Sequence, residues 1–189
     1  MIDLFTAKQI VAQREIAEGL QNYQMIMDEL RRTDVSKDRY FQEVFCRLYE
    51  MKMYYSVGDF AEKYFEIMEQ LKGIKHVSFK DCFEKLTSIG NRKELTFSSR
   101  LLHTLDPQYP IWDKIVAEDH FRMKRPIAGK APAENYSKRY GEYVDQYFEY
   151  MKSEEGIYLI RLFDERFPKA KISDVKKLDF ILRLDRQND

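Results

Sequence analysis

Apolar residues return every three or four positions along most of this chain, with polar residues filling the gaps. Ile10, Val11, Ile16, Leu20, Tyr23, Met27 and Leu30 keep that spacing as far as Arg32, behind a Thr6-x-x-Gln9 capping box. The pattern predicts one helix of about 26 residues, long enough at 1.5 Å per residue to span a domain. A second helix, capped by Asp34 or Ser36, turns Tyr40, Phe41, Val44, Phe45, Leu48 and Met51 inward. Ser56-Val57-Gly58 breaks the period. Asp59 caps a third helix carrying Phe60, Tyr64, Ile67, Met68 and Leu71, which Gly73 ends. Ser78-Phe79-Lys80-Asp81 opens a fourth through Phe83 and Leu86 to near Gly90, and Asn91 to Leu95 is a charged connection.

The stretch from Thr96 to Val116 stands apart. It holds two of the five prolines, the only tryptophan and one of the three histidines. Ser98 or Ser99 starts a short helix with Leu101, Leu102 and Leu105 inward. Asp106-Pro107 stops it, because a residue before proline avoids helical angles. Pro110 begins an extended entry, and Asp113 stands where a helix from Lys114 to about Met123 needs its N-cap. Lys124 to Ala133, with Pro126, Gly129 and Pro132, has no period and reads as a surface loop and a lobe boundary. Helices follow over 134–152 and 157–167, with 153–156 as the interruption. Ser173 leads the last one, with Val175, Leu178, Ile181, Leu182 and Leu184 on its apolar side. No segment alternates with the period of a strand. The expected fold is all-α: about eight helices in one compact, two-lobed, orthogonal domain over residues 1–189.

Composition narrows the function. A chain of 189 residues buries a real core, and 13 Phe, 13 Tyr and one Trp make it dense although 34% of the residues are charged. Lys and Arg number 32 and Asp and Glu 32, so no whole-molecule field steers nucleic acid. No apolar run approaches the ~20 residues of a membrane span, and the first residues lack the pattern of a signal peptide. Cys46 and Cys82 are lone thiols in apolar surroundings, as in a cytoplasmic protein. Seven scattered glycines form no phosphate loop, Gly-x-Ser-x-Gly is absent, and the histidines have no metal-ligand spacing. Neither a metal nor a cofactor is called for.

Two patterns remain. Tyr136, Tyr140, Tyr143, Tyr147 and Tyr150 lie on one helix stripe, which suits a packing seam or a dimer face, or else a platform on which bases stack. Between Lys114 and Arg139, seven basic residues face three acidic ones. Lys124, Arg125 and Lys130 are the candidates there for phosphate contacts, against the plainer reading of a solvated loop.

Phe97-Ser98-Ser99-Arg100-Leu101-Leu102-His103, followed by Asp106-Pro107 and Tyr109-Pro110-Ile111-Trp112-Asp113-Lys114-Ile115-Val116, resembles a segment of helix-hairpin-helix DNA glycosylase-like proteins of the 8-oxoguanine glycosylase type. The likeness covers about twenty residues. It implies an all-helical, two-lobed fold with the site between lobes, and an essential aspartate at the place of Asp113. Arg100 stands where bifunctional members carry a lysine, and a guanidinium cannot form a Schiff base with a sugar. The hairpin departs as well: Leu86 to Gly90 has one glycine, Thr96-Phe97-Ser98 replaces a glycine pair, and the span from Arg100 to Asp113 is short.

Two functions are therefore expected. In the first, the chain is a nucleic-acid-associated relative of base-excision glycosylases, either monofunctional or catalytically inactive, with DNA as partner. Asp113 and Arg100 are then the catalytic pair, Thr96, Ser98 and Ser99 face the backbone of the nucleic acid, and His103, Trp112, Tyr136 and Tyr140 line the pocket. In the second, it is a non-catalytic interaction module, homodimeric through the Tyr136–Tyr150 helix, with Asp113 only a cap.

Overall fold

A computed structural model describes residues 4–51, 59–90, 95–127 and 129–185. Among them are nine α-helices and one short π-type helix, with no strand. The α-helices are α1 (Leu4–Ala12), α2 (Arg14–Arg32), α3 (Arg39–Leu48), α4 (Phe60–Lys72), α5 (Phe79–Gly90), α6 (Leu95–Leu105), α7 (Pro132–Lys152), α8 (Glu154–Arg166) and α9 (Asp174–Leu184); the π-helix, Lys114–His120, lies between α6 and α7. The all-α class read from the periodicity is the class observed. The break at Ser56-Val57-Gly58 and the connection at residues 91–94 fall outside the described residues.

Several boundaries differ, each for a local reason. The single long helix is two, because Gln13 is extended and its N–H turns back to the Ile10 carbonyl at 3.0 Å. Val11 and Ile16 are five apart, out of phase with one helical face, and the break at Gln13 lets both reach the core. Thr6 lies within α1 rather than at its start. Asp38, not Asp34 or Ser36, caps α3 by accepting the Phe41 N–H at 3.0 Å, and Tyr40 points outward, 63% exposed. Asp59 stands at the start of α4 but its carboxylate pairs with Lys63 instead of capping. Ser78 and Asp81 do cap α5 reciprocally: the Ser78 N–H reaches Asp81 at 2.9 Å, and Ser78 Oγ accepts the Asp81 N–H at 3.2 Å. α6 begins at Leu95, ahead of Ser98 and Ser99, and α7 begins at Pro132. Ser153 closes α7 and caps α8.

One connected apolar cluster runs from Ala7 to Leu182. α9 is its central strut, packed against α1, α2, α8 and the π-helix. Gly19 of α2 makes that approach feasible: a Cβ there would stand 2.8 Å from the Phe180 ring. Every residue from Val175 to Leu182 is buried, including Lys176, Lys177 and Asp179. No helix among the described residues is long and apolar enough to cross a membrane.

Candidate functional site

Between α6 and the π-helix the chain runs as an irregular strap over residues 106–113. A strap inside a helical fold has no ladder to satisfy its carbonyls, so side chains must do it. Residues of α6, α7 and the start of α9 supply most of these donors. Ser173, the cap of α9, donates to the Pro107 carbonyl at 2.7 Å, and His103 of α6 donates through Nδ1 to the Tyr109 carbonyl at 2.7 Å. From α7, the Tyr140 hydroxyl donates to the Pro110 carbonyl at 2.7 Å and the Tyr143 hydroxyl to the Ile111 carbonyl at 3.0 Å. The Trp112 N–H donates to Ser99 Oγ at 2.9 Å, and Ser99 Oγ donates to the Thr96 carbonyl at 2.9 Å. Trp112 itself is wholly buried, and its indole N–H reaches Glu118 at 3.2 Å.

The strap delivers Asp113 to the start of the π-helix. Its Oδ1 accepts the Ile115 N–H at 2.9 Å, so the expected cap is present. The helix it starts ends at His120 instead of Met123, where Phe121 N–H bonds the Val116 carbonyl five residues back. Asp113 Oδ2 stands 3.8 Å from Arg183 Nε, and the two side chains are 13% and 18% exposed. Arg183 comes from the last turn of α9.

Behind this carboxylate lies a buried polar cluster that sequence reasoning did not find. Lys176 Nζ pairs with Asp179 at 2.6 Å, both essentially without solvent contact. The same ammonium sits 4.9 Å from the Tyr23 ring centre, 5.3 Å from that of Tyr49 and 4.6 Å from that of Phe180, a cation held by three aromatic faces. Burial works against the Asp179 charge, but Lys176 and Arg183 outweigh it and hold the carboxyl below its ordinary range. Asp179 and Asp113 likewise outweigh burial around Arg183 and keep its guanidinium charged.

His103 shares this interior. Because Nδ1 donates to a carbonyl, Nε2 of the neutral ring is the acceptor, and it faces the Tyr23 hydroxyl at 3.2 Å. Burial, with Lys176 nearby, pushes the imidazole down to about 4. Burial also pushes the phenols of Tyr140, Tyr143 and Tyr147 well above their ordinary value.

These positions correct much of the expected site. Ser98 and Ser99 are completely buried and Thr96 is half-buried, with Ser99 spent on the strap; they offer no row of hydroxyls to a phosphate backbone. His103, Trp112, Tyr136 and Tyr140 are packed core instead of pocket lining. Tyr136 lies 4.7 Å from the Phe83 ring centre and Tyr140 stacks on Phe79 at 4.3 Å. Tyr147 donates to the Val175 carbonyl at 2.9 Å. The first four tyrosines of the stripe are therefore an internal seam, the packing reading of that spacing, and Tyr150 at its end is half-buried. Lys124, Arg125 and Lys130 are exposed, as expected. The surrounding excess of positive charge is partly cancelled, since Arg125 pairs with Glu118, Lys114 with Asp119 and Arg139 with Glu142.

Asp113 and Arg100 do belong to one neighbourhood. Arg100 is half-buried with its guanidinium 5.6 Å from the ring centres of both Tyr49 and Phe97. Its Nε is buried and meets no acceptor. Burial, together with the like charge of Arg183, pulls its proton affinity below the ordinary guanidinium value. Lys176, Asp179 and Arg183 were missed: positions 176, 179 and 183 fall on one stripe of a helix, but solvent-exposed pairs share that spacing. An apolar reading of α9 counted only Val175, Leu178, Ile181, Leu182 and Leu184. No family model, curated protein or solved structure matches this chain.

Proposed function

We propose that the chain is a nucleic-acid-associated helical protein of the base-excision glycosylase type, without a Schiff-base step, in which Asp113 is the working carboxylate. The observation that supports this reading is the placement of Asp113. Its strap is pinned by Ser173, His103, Tyr140, Tyr143 and Ser99, and its carboxylate keeps one oxygen on a helix N–H and turns the other toward Arg183. A cap alone requires only the first of those contacts. A negative group fixed this firmly, and still partly open to solvent, can stabilise positive charge growing on a sugar as an extruded base departs. Arg100, which cannot act as a nucleophile, serves as a cationic contact for the base or a phosphate. Lys124, Arg125 and Lys130 then contribute non-specific phosphate contacts from the exposed loop.

The paired variants Asp113→Asn and Asp113→Ala test it. Asparagine caps a helix about as well as aspartate, whereas alanine loses about 0.5–2 kcal/mol. Thermal melting and release of a damaged base from an oligonucleotide panel are measured together. Wild-type release that disappears in Asp113→Asn, with little change in melting temperature, is the expected result. Wild type releasing nothing, with Asn neutral and Ala destabilised, leaves Asp113 a helix cap and removes the enzyme reading.

A further inference from the structure

We propose that Arg100 and Arg183 form an anion seat beside Asp113, shaped for an oxyanion of the phosphate class. The inference rests on the nucleic-acid reading only for the expected source of that oxyanion.

The first argument is the inventory of charge. Three cations, Arg100, Lys176 and Arg183, share this interior with two acids, Asp113 and Asp179. Lys176 and Asp179 neutralise each other at 2.6 Å. Arg183 is supported by Asp179 as well as Asp113, which leaves Arg100 as the cation without a hydrogen-bonded acid among the described residues. Glu50 also faces Arg183 electrostatically but is itself exposed. An uncompensated cation in a half-buried place is costly, and a bound anion removes the cost.

The second argument is hydrogen bonding. Asp113 Oδ1 is taken by the Ile115 N–H, and Oδ2 lies 3.8 Å from Arg183 Nε, beyond hydrogen-bond range. Arg100 Nε is buried with no acceptor at all. A buried charged donor left unmade asks for a partner. Each guanidinium presents a planar fork of donors that matches two oxygens of a phosphate.

The third argument is preorganisation. Tyr49 and Phe97 flank the Arg100 guanidinium, each ring centre 5.6 Å away, and fix its plane. Asp179 holds the Arg183 side from within α9. The two like-charged guanidinium groups lie within electrostatic reach of each other, with the aromatic supports of Arg100 already in place. Asp113 beside the seat disfavours a dianion, so a singly charged phosphodiester fits better than a phosphate monoester.

The test uses the full chain at low ionic strength, with inorganic phosphate and a short single-stranded oligonucleotide lacking a terminal phosphate as probes. Calorimetry reads affinity, and the Nε–Hε resonance of Arg100 reports its filling. Both probes should bind saturably and shift that resonance. Arg100→Gln and Arg183→Gln should each weaken binding tenfold or more, and Asp113→Asn should tighten it severalfold by removing the competing carboxylate. Arg183→Lys, which keeps the charge but loses the fork, covers the case in which Arg183→Gln does not fold, and should also bind more weakly. Binding of inorganic phosphate at Arg100 without binding of the oligonucleotide upholds the seat, assigns it to a free oxyanion and counts against the nucleic-acid reading. Base release that depends on Asp113, with phosphate and oligonucleotide affinities indifferent to both arginines, overturns the seat and leaves the enzyme reading intact. An unmoved Arg100 resonance at saturating phosphate and oligonucleotide overturns it directly.

Discussion

The interior between α3 and α4 and the interior around α9 are both sealed from water, yet they are made of different materials. In the first, Phe41, Phe45 and Phe65 meet at ring-centre distances of 5.5 to 6.1 Å, mostly edge to face, with Tyr64 beside them. Nothing in that ring cluster needs a particular hydrogen-bond partner apart from Tyr64, whose hydroxyl reaches the Phe97 carbonyl at 3.3 Å. Around α9 the same degree of burial encloses an ammonium, a carboxylate, an imidazole and the phenols that hold the strap. Apolar packing is tolerant of volume-preserving change. A buried polar network is not, because each member leaves another unsatisfied when it is removed. The difference makes the polar half the more sensitive of the two to single substitutions.

The largest effect expected from this contrast is at the buried ion pair. Asp179→Ala takes away the counter-charge of Lys176, an ammonium that burial already disfavours, and should cost about 3–5 kcal/mol in urea unfolding. The double replacement Lys176→Met with Asp179→Leu should recover most of that loss, since removing both charges removes the penalty. A double variant as unstable as the single one would mean that shape, not charge, governs this part of the core.

The next effect is a dependence on pH confined to the polar half. His103 is neutral in the fold, held down to about 4 by burial and by Lys176. In the unfolded chain it titrates near 6.5, so below that value the unfolded state binds the proton first. The contribution of His103 is therefore complete above about pH 6.5 and is lost progressively as pH falls toward 4, up to about 3 kcal/mol. Replacing it with Gln should flatten the stability profile across that window. A profile with the same slope in wild type and variant would place the titration elsewhere.

Smaller still is the loss of one strap contact. Tyr140→Phe leaves the Pro110 carbonyl without its donor and should cost about 1–3 kcal/mol, whereas Phe45→Leu in the ring cluster should cost about 1.5 kcal/mol or less. Equal losses from the two would erase the distinction between the regions.

Much of this architecture was legible in the sequence. The all-α class, Asp113 as a cap, the stop at Asp106-Pro107 and the Ser173 start of α9 follow from periodicity and local backbone preference, which act over a few residues. The split at Gln13 is legible only in retrospect, through the phase slip between Val11 and Ile16. What did not follow was the fate of the polar residues. Ser99 and His103 have the composition of a surface or a pocket, and only tertiary contact reveals that they, with Tyr140 and Tyr143 of the tyrosine seam, are turned onto the strap. The same holds for Lys176 and Asp179, residues of a type almost never fully buried unless paired. Their pairing at 2.6 Å sits at a helix spacing that solvent-exposed pairs share.

The role proposed for the polar interior is to hold Asp113 for chemistry on a nucleic acid. It is tested most directly by base release from damaged oligonucleotides, compared between Tyr140→Phe/Tyr143→Phe and a ring-cluster variant such as Phe45→Leu, both assayed where melting shows them folded. Release should fall tenfold or more in the strap variant and stay near wild type in the ring-cluster variant. Equal activity in the two folded proteins, or no release by wild type, would contradict it.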